Sequence, residues 1–161
     1  VTADATRDAL VTQLDGQRDH VLGILEGLDD ASLRRSVLPT GWTCLGLVQH
    51  LTRDDERFWF CHVVAGEPMA ADEPSAWVVD DRTPAHEVLE RYRRQVERSN
   101  EIAAVTELDA PPRFWPDFFG TWRLPDFRAV LLHVLTETAT HAGHLDAARE
   151  LLDGRTWLIV G

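Results

Sequence analysis

The sequence predicts an all-α protein, a four-helix bundle with long connections between helices 2 and 3 and between helices 3 and 4. Two observations predict it. Four segments repeat apolar residues at helical spacing. No run of strand length alternates with them, so no sheet layer is available and helices must bury their apolar stripes against each other. The length of 161 residues agrees with a single domain over 1–161; that is near the usual domain size of roughly 100–150 residues.

The first helix is expected from about Ala5 to Leu28, with Leu10, Leu14, Val21, Ile24, Leu25 and Leu28 forming its stripe. The stretch 29–41 interrupts it, punctuated by Pro39 and Gly41. Thr43 is a natural N-cap for a second helix running to about Val64, with Leu47, Leu51 and Phe58 on one face. A loop over 65–82 carries Gly66, Pro68 and Pro74. The third helix opens on Thr83 as N-cap and Pro84 as first helical residue, shows Val88, Tyr92 and Val96, and fades near Leu108. A second loop over 109–124 is rich in proline and aromatics: Phe114, Trp115, Phe118, Phe119 and Trp122. Either an apolar substrate wall or a homodimer interface accounts for them. The fourth helix runs from Pro125-Asp126 to Gly154, a suitable C-terminal glycine. The tail Trp157-Leu158-Ile159-Val160 reads as a short strand or a packing segment.

Charge narrows the partners. There are 27 acidic residues against 16 basic ones, a net charge of -11. Such a field repels nucleic acid and anionic membrane surfaces. The basic run Arg91-Tyr92-Arg93-Arg94 is flanked by Glu87, Glu90, Glu97 and Glu101 and reads as a mixed-charge helix face. No apolar run reaches a membrane span, and Val1-Thr2-Ala3-Asp4 has no signal-peptide character. With only Cys44 and Cys61, both expected to pack as free thiols, a cytoplasmic protein is expected. Every basic residue is Arg, a bias that suggests a GC-rich host.

The chemistry concentrates in the fourth helix. At about 100° per residue, Phe127, Val130, Val134, Leu145, Ala148 and Leu152 share one face. Glu137 and His141 fall within the same arc and His144 at its margin. A carboxylate and imidazoles on an apolar stripe are costly unless compensated. They pair with other side chains, or the stripe is wet, or a cation sits there, since Glu and His one turn apart can converge on one ion. His50, mid-helix 2, is the best third ligand from another helix. Of the other histidines, His20 and His86 are expected at the surface, His62 at a helix end, and His133 in a packing role. There is no HExxH, no GxSxG and no second carboxylate–His copy, so one mononuclear site survives.

These residues resemble the DinB-like superfamily, in particular its actinobacterial, mycothiol-dependent branch. The resemblance rests on Gly41-Trp42-Thr43, His50-Leu51, the run from His133 through Glu137, His141 and His144 to Asp146, and Arg149 to Gly154. It implies a four-helix bundle binding one divalent metal through His50, Glu137 and His141, with zinc expected before nickel. The branch often has two adjacent acids where this chain has Thr136-Glu137, which removes one carboxylate near the site. His144 is then a fourth ligand or a proton carrier. The resemblance implies a metal-dependent thiol transferase or isomerase that activates a low-molecular-weight thiol, mycothiol above all, for attack on a small electrophile. Arg53 and Arg57 are candidates for binding the thiol cosubstrate, although pairing with Asp54, Asp55 and Glu56 is the simpler expectation. A metal-water hydrolase and a non-catalytic metal-binding stress-response or interaction bundle stay open as alternatives.

Overall fold

The computed structural model describes residues 3–69 and 74–157. Among them there is no strand, and the elements are helical throughout. They are α1 (Ala3–Leu25), α2 (Asp30–Leu33), α3 (Cys44–His50) continued as a π-helix (Leu51–Val64), α4 (Ala85–Val105), a 3-10 turn (Asp117–Phe119) and α5 (Phe127–Asp153). The expected strand at 158–160 lies outside the described residues. No helix among the described residues is long and apolar enough to cross a membrane.

Several ends follow the local chemistry read from the sequence. Thr43 caps α3, its hydroxyl accepting from the Gly46 N–H at 3.0 Å. Asp126 caps α5 by accepting from the Ala129 N–H at 2.8 Å. Gly154 closes α5 in the left-handed region at φ 79°, where a side chain would be strained.

Other ends differ. α1 stops at Leu25, and the expected break contains the short α2, capped by Asp29, whose carboxylate accepts from the Ser32 N–H. α4 starts at Ala85, so Pro84 holds the cap position with no side-chain bond, and Thr83 does not cap. The orphan N–H of Ala85 donates instead to Asp30 of α2 at 3.1 Å. A tertiary partner has replaced the local one. The largest difference is in the second helix. It reaches Val64 as expected, but from Leu51 it widens into a π-helix, with the Ala65 N–H donating to the Phe60 carbonyl.

α1 packs along α5, and α3 with its π continuation packs between α4 and α5. Two apolar clusters fill the interior. One gathers Val21, Ile24, Leu45, Leu47, Tyr92 and Leu145; the other gathers Leu14, Phe60, Ile102, Phe127, Val130 and Val134. Between them lies a buried ion pair. Arg18 of α1 donates through Nε and Nη2 to the two carboxylate oxygens of Glu56, at 2.7 and 2.6 Å. Arg18 also donates to Asp15 and Asn100, so its donors are matched to acceptors in a place where an unmatched charge would be costly.

Candidate metal centre

The π-helical segment meets α5 at a cluster of imidazoles. His50 and His141 have ring centroids 5.0 Å apart at 77°. Asp55 joins them. One ligand-competent atom each from His50, Asp55 and His141 lies within 4.8 Å of the others, a spacing one small cation could bridge. The widened turns explain Asp55. In an α-helix, residue i+5 points about 140° away from residue i. Hydrogen bonding to the fifth residue shifts that alignment, and Asp55 comes under His50.

The electrostatics are those of a site short of a positive charge. Asp55 is 5% exposed, and its Oδ2 is buried without a hydrogen-bond partner. Burial pushes its pKa up to about 7; His50 pulls it down, and the carboxylates of Glu137, Glu56 and Asp54 add to the rise. His141 is pushed down to about 4, first by burial and then by the neighbouring His50 and His144. A carboxyl group that resists ionising for want of a counter-charge, next to the imidazole of His141, which stays neutral, matches a divalent ion. The donor set of nitrogen and oxygen atoms suits a divalent transition metal.

Around the cluster, side chains fix the rings. The Asp54 carboxylate lies 2.8 Å from His50 Nδ1, which leaves Nε2 as the free edge of the ring. Trp77 stacks on His50 with centroids 4.1 Å apart. The loop carrying Trp77 is held down by Gln49, whose amide donates to the carbonyls of Ala76 and Val78 at 2.8 and 3.0 Å. On the other side, His144 places Nδ1 3.4 Å from His141 Nδ1 and tilts against Trp42.

The helical wheel put Glu137 inside the core arc. At that level the buried positions of α5 are Thr138 and Ala142, and the Glu137 side chain is 40% exposed. Its Oε2 lies 3.9 Å from His141 Nε2, at the rim of the cluster. Of the three acids beside Arg53 and Arg57, Asp54 holds His50, Asp55 joins the cluster and Glu56 takes Arg18. Arg53 and Arg57 line a groove of about 440 Å³ facing α4, together with Arg91 and Arg94.

His86 is exposed as expected, while His20, His62, His133 and both cysteines are packed or held by neighbouring groups. His20, expected at the surface, is only 14% exposed, with Nε2 2.7 Å from Asp146 Oδ1 and its ring stacked on Trp157. His62 sets Nδ1 3.0 Å from the Glu67 carbonyl, at the end of its helix as expected. His133 packs edge-on against Trp59, and burial lowers its pKa. Both cysteines are free and buried, and burial pushes the Cys44 thiol up to about 11, far from a nucleophile's range.

Sequence reasoning missed Asp55 and Trp77. The run Asp54-Asp55-Glu56 in the middle of an apolar-striped helix was the available signal for the first. Trp77 sits in a loop with no pattern to mark it.

The family model described as MST, mycothiol-S-transferase, matches residues 9–154. The chain belongs to the mycothiol-S-transferase family. The match takes in His50, Asp55, Glu137, His141 and His144, and it agrees with the mycothiol-associated branch that the motifs resemble. No curated protein and no solved structure matches the chain.

Proposed function

We propose that this protein is a divalent-metal-dependent thiol S-transferase of the mycothiol-S-transferase family, built as a four-helix bundle, with mycothiol as its cosubstrate. The observation that carries the reading is Asp55: a buried carboxylate oxygen with no hydrogen-bond partner, facing two imidazoles from different helices. That arrangement is costly by itself and is relieved by a cation.

His50, Asp55 and His141 would hold the ion, with Glu137 at the rim as a further carboxylate ligand. A bound zinc lowers the pKa of a coordinating thiol and favours its thiolate at neutral pH. The chain's own residues do the rest. Asp54 and Trp77 fix the plane and tautomer of His50. His144, exposed and beside His141, carries the thiol proton to solvent. Arg53, three residues beyond His50, and Arg57 offer guanidinium donors to the sugar hydroxyls of the thiol. Free cysteines fit a cytoplasmic setting.

Metal analysis of protein purified without a His tag tests the site, and thiol consumption tests the activity. About one equivalent of zinc is expected, lost in Asp55→Ala and His50→Ala. With mycothiol and an alkylating electrophile, thiol loss should depend on that metal and exceed the loss with glutathione or bacillithiol. Metal-free protein that consumes mycothiol at the full rate would refute the reading.

A further inference from the structure

Next to the metal cluster is a cavity of about 320 Å³ lined by Asp54, Phe58, Trp59, Met69, Phe118 and Phe119. Five of the six are apolar. The sixth, Asp54, is the residue that holds His50 Nδ1 at 2.8 Å, so the cavity and the cluster share a wall. The rings are already arranged to receive another ring. Phe119 stacks on Trp59 at 5.7 Å and 11°, Phe58 meets Phe119 edge-on at 6.0 Å, and Phe118 leans on Phe58 at 6.2 Å. Offset and edge-on contacts of this kind favour a planar aromatic guest over an aliphatic one. The size falls at the lower end of small-molecule sites, roughly 300–1,000 Å³. Among the described residues no basic side chain lines it, and the carboxylate of Asp54 at one end disfavours an anion. Phe118 is 69% exposed, an apolar ring standing at the opening.

We infer that this cavity binds the aromatic part of a neutral electrophile and presents its reactive carbon at the Asp54–His50 end; the inference rests on the thiol-transfer reading. In the reaction used to test it, the thiolate sulfur forms an S–C bond at a chloromethyl carbon. Chloride leaves with the electron pair of the broken C–Cl bond, and the thiol proton passes to solvent.

Phenacyl chloride and chloroacetone carry the same reactive group and differ by phenyl against methyl. With mycothiol and the metal-loaded protein, KM for phenacyl chloride should be about tenfold lower after subtraction of the uncatalysed rates. Phe118→Ala and Met69→Glu should shrink that ratio at least threefold, and Phe118→Tyr should restore it. Acetophenone has no leaving group, so its binding by ligand-observed NMR reads the cavity without any turnover. It should saturate in the parent protein and weaken at least fivefold in Phe118→Ala. If no electrophile is consumed but acetophenone binds and Phe118→Ala weakens it, the cavity assignment stands and the thiol-transfer reading falls. Equal KM values for the two chloroketones overturn the inference. So does acetophenone binding unchanged in Phe118→Ala and Met69→Glu, including the case where Phe118→Ala instead converts a dimer to a monomer by sedimentation.

Discussion

Trp77 lies flat on His50, with ring centroids 4.1 Å apart and planes within 19° of parallel. It also approaches His141 at 6.0 Å, so one indole borders both imidazoles of the cluster. The contact depends on a backbone approach one turn earlier: a Cβ at Gly46 would come within 2.4 Å of the Trp77 carbonyl oxygen.

Gly46→Ala is therefore expected to push the Trp77 loop off α3. Overpacking of this kind costs about 1–3 kcal/mol. Chemical denaturation checks the cost, and a change in indole fluorescence on metal binding checks the loop. Parent stability and an unchanged fluorescence response in Gly46→Ala would contradict the assignment.

Asp54→Asn keeps shape but removes the charge that orients His50 through Nδ1. Loss of such a partner weakens metal affinity by about 10–100-fold. Competition with a zinc chelator measures it, and circular dichroism confirms that the helices persist.

The metal-free protein is expected to show two opposed pH dependences at one site. Asp55 has a folded pKa near 7, above the ordinary carboxylate value of 3.8, so its contribution to stability is present below pH 3.8 and lost as pH rises through 7. His141 has a folded pKa near 4, below the ordinary 6.5, so its contribution is present above pH 6.5 and lost as pH falls through 4. The facing groups are His50, Asp54, Glu56, Glu137 and His144. In chelator-treated protein the two slopes offset between pH 4 and 6.5. Asp55→Asn should leave stability rising with pH over that window, and His141→Gln should leave it falling. Thermal melts across the window check both signs; parallel curves for the two variants would rule out the coupling.

Arg18 and Glu56 should behave as a buried pair. Arg18→Met leaves the Glu56 carboxylate without its two closest donors and should cost about 3–5 kcal/mol. Adding Glu56→Leu removes the stranded charge and should recover at least half of the loss. Urea denaturation of the two variants measures this; a double variant less stable than the single one would be the contrary result.

The helices and many of their ends were legible because they are set by local chemistry. Thr43 and Asp126 carry oxygens that reach an N–H three residues on, and Gly154 adopts a left-handed backbone at little cost. His50 and His141 were legible as inward-leaning polar residues on apolar-striped helices, and the structure brings their rings together. The burial of Glu137 was misread because a wheel gives a direction and not the depth at which a neighbouring helix stops. Thr138 and Ala142 are buried where α5 packs against its neighbours, while Glu137 reaches past their edge.

Asp55 shows where the sequence stops. Its neighbours Asp54 and Glu56 hold His50 and Arg18, while Asp55 itself reaches His50 and His141 with one carboxylate oxygen left unpartnered. That requires the widened turns of the π-helix, and nothing in the spacing of Leu51, Phe58 and Phe60 announces them. The sequence by itself determined the long helical segments, the caps at Thr43 and Gly154 and which residues carry ligating atoms. The tertiary structure decided which of those atoms meet, because helix register and turn width respond to the sum of contacts with α1, α4 and α5, and those contacts do not exist until the chain has packed.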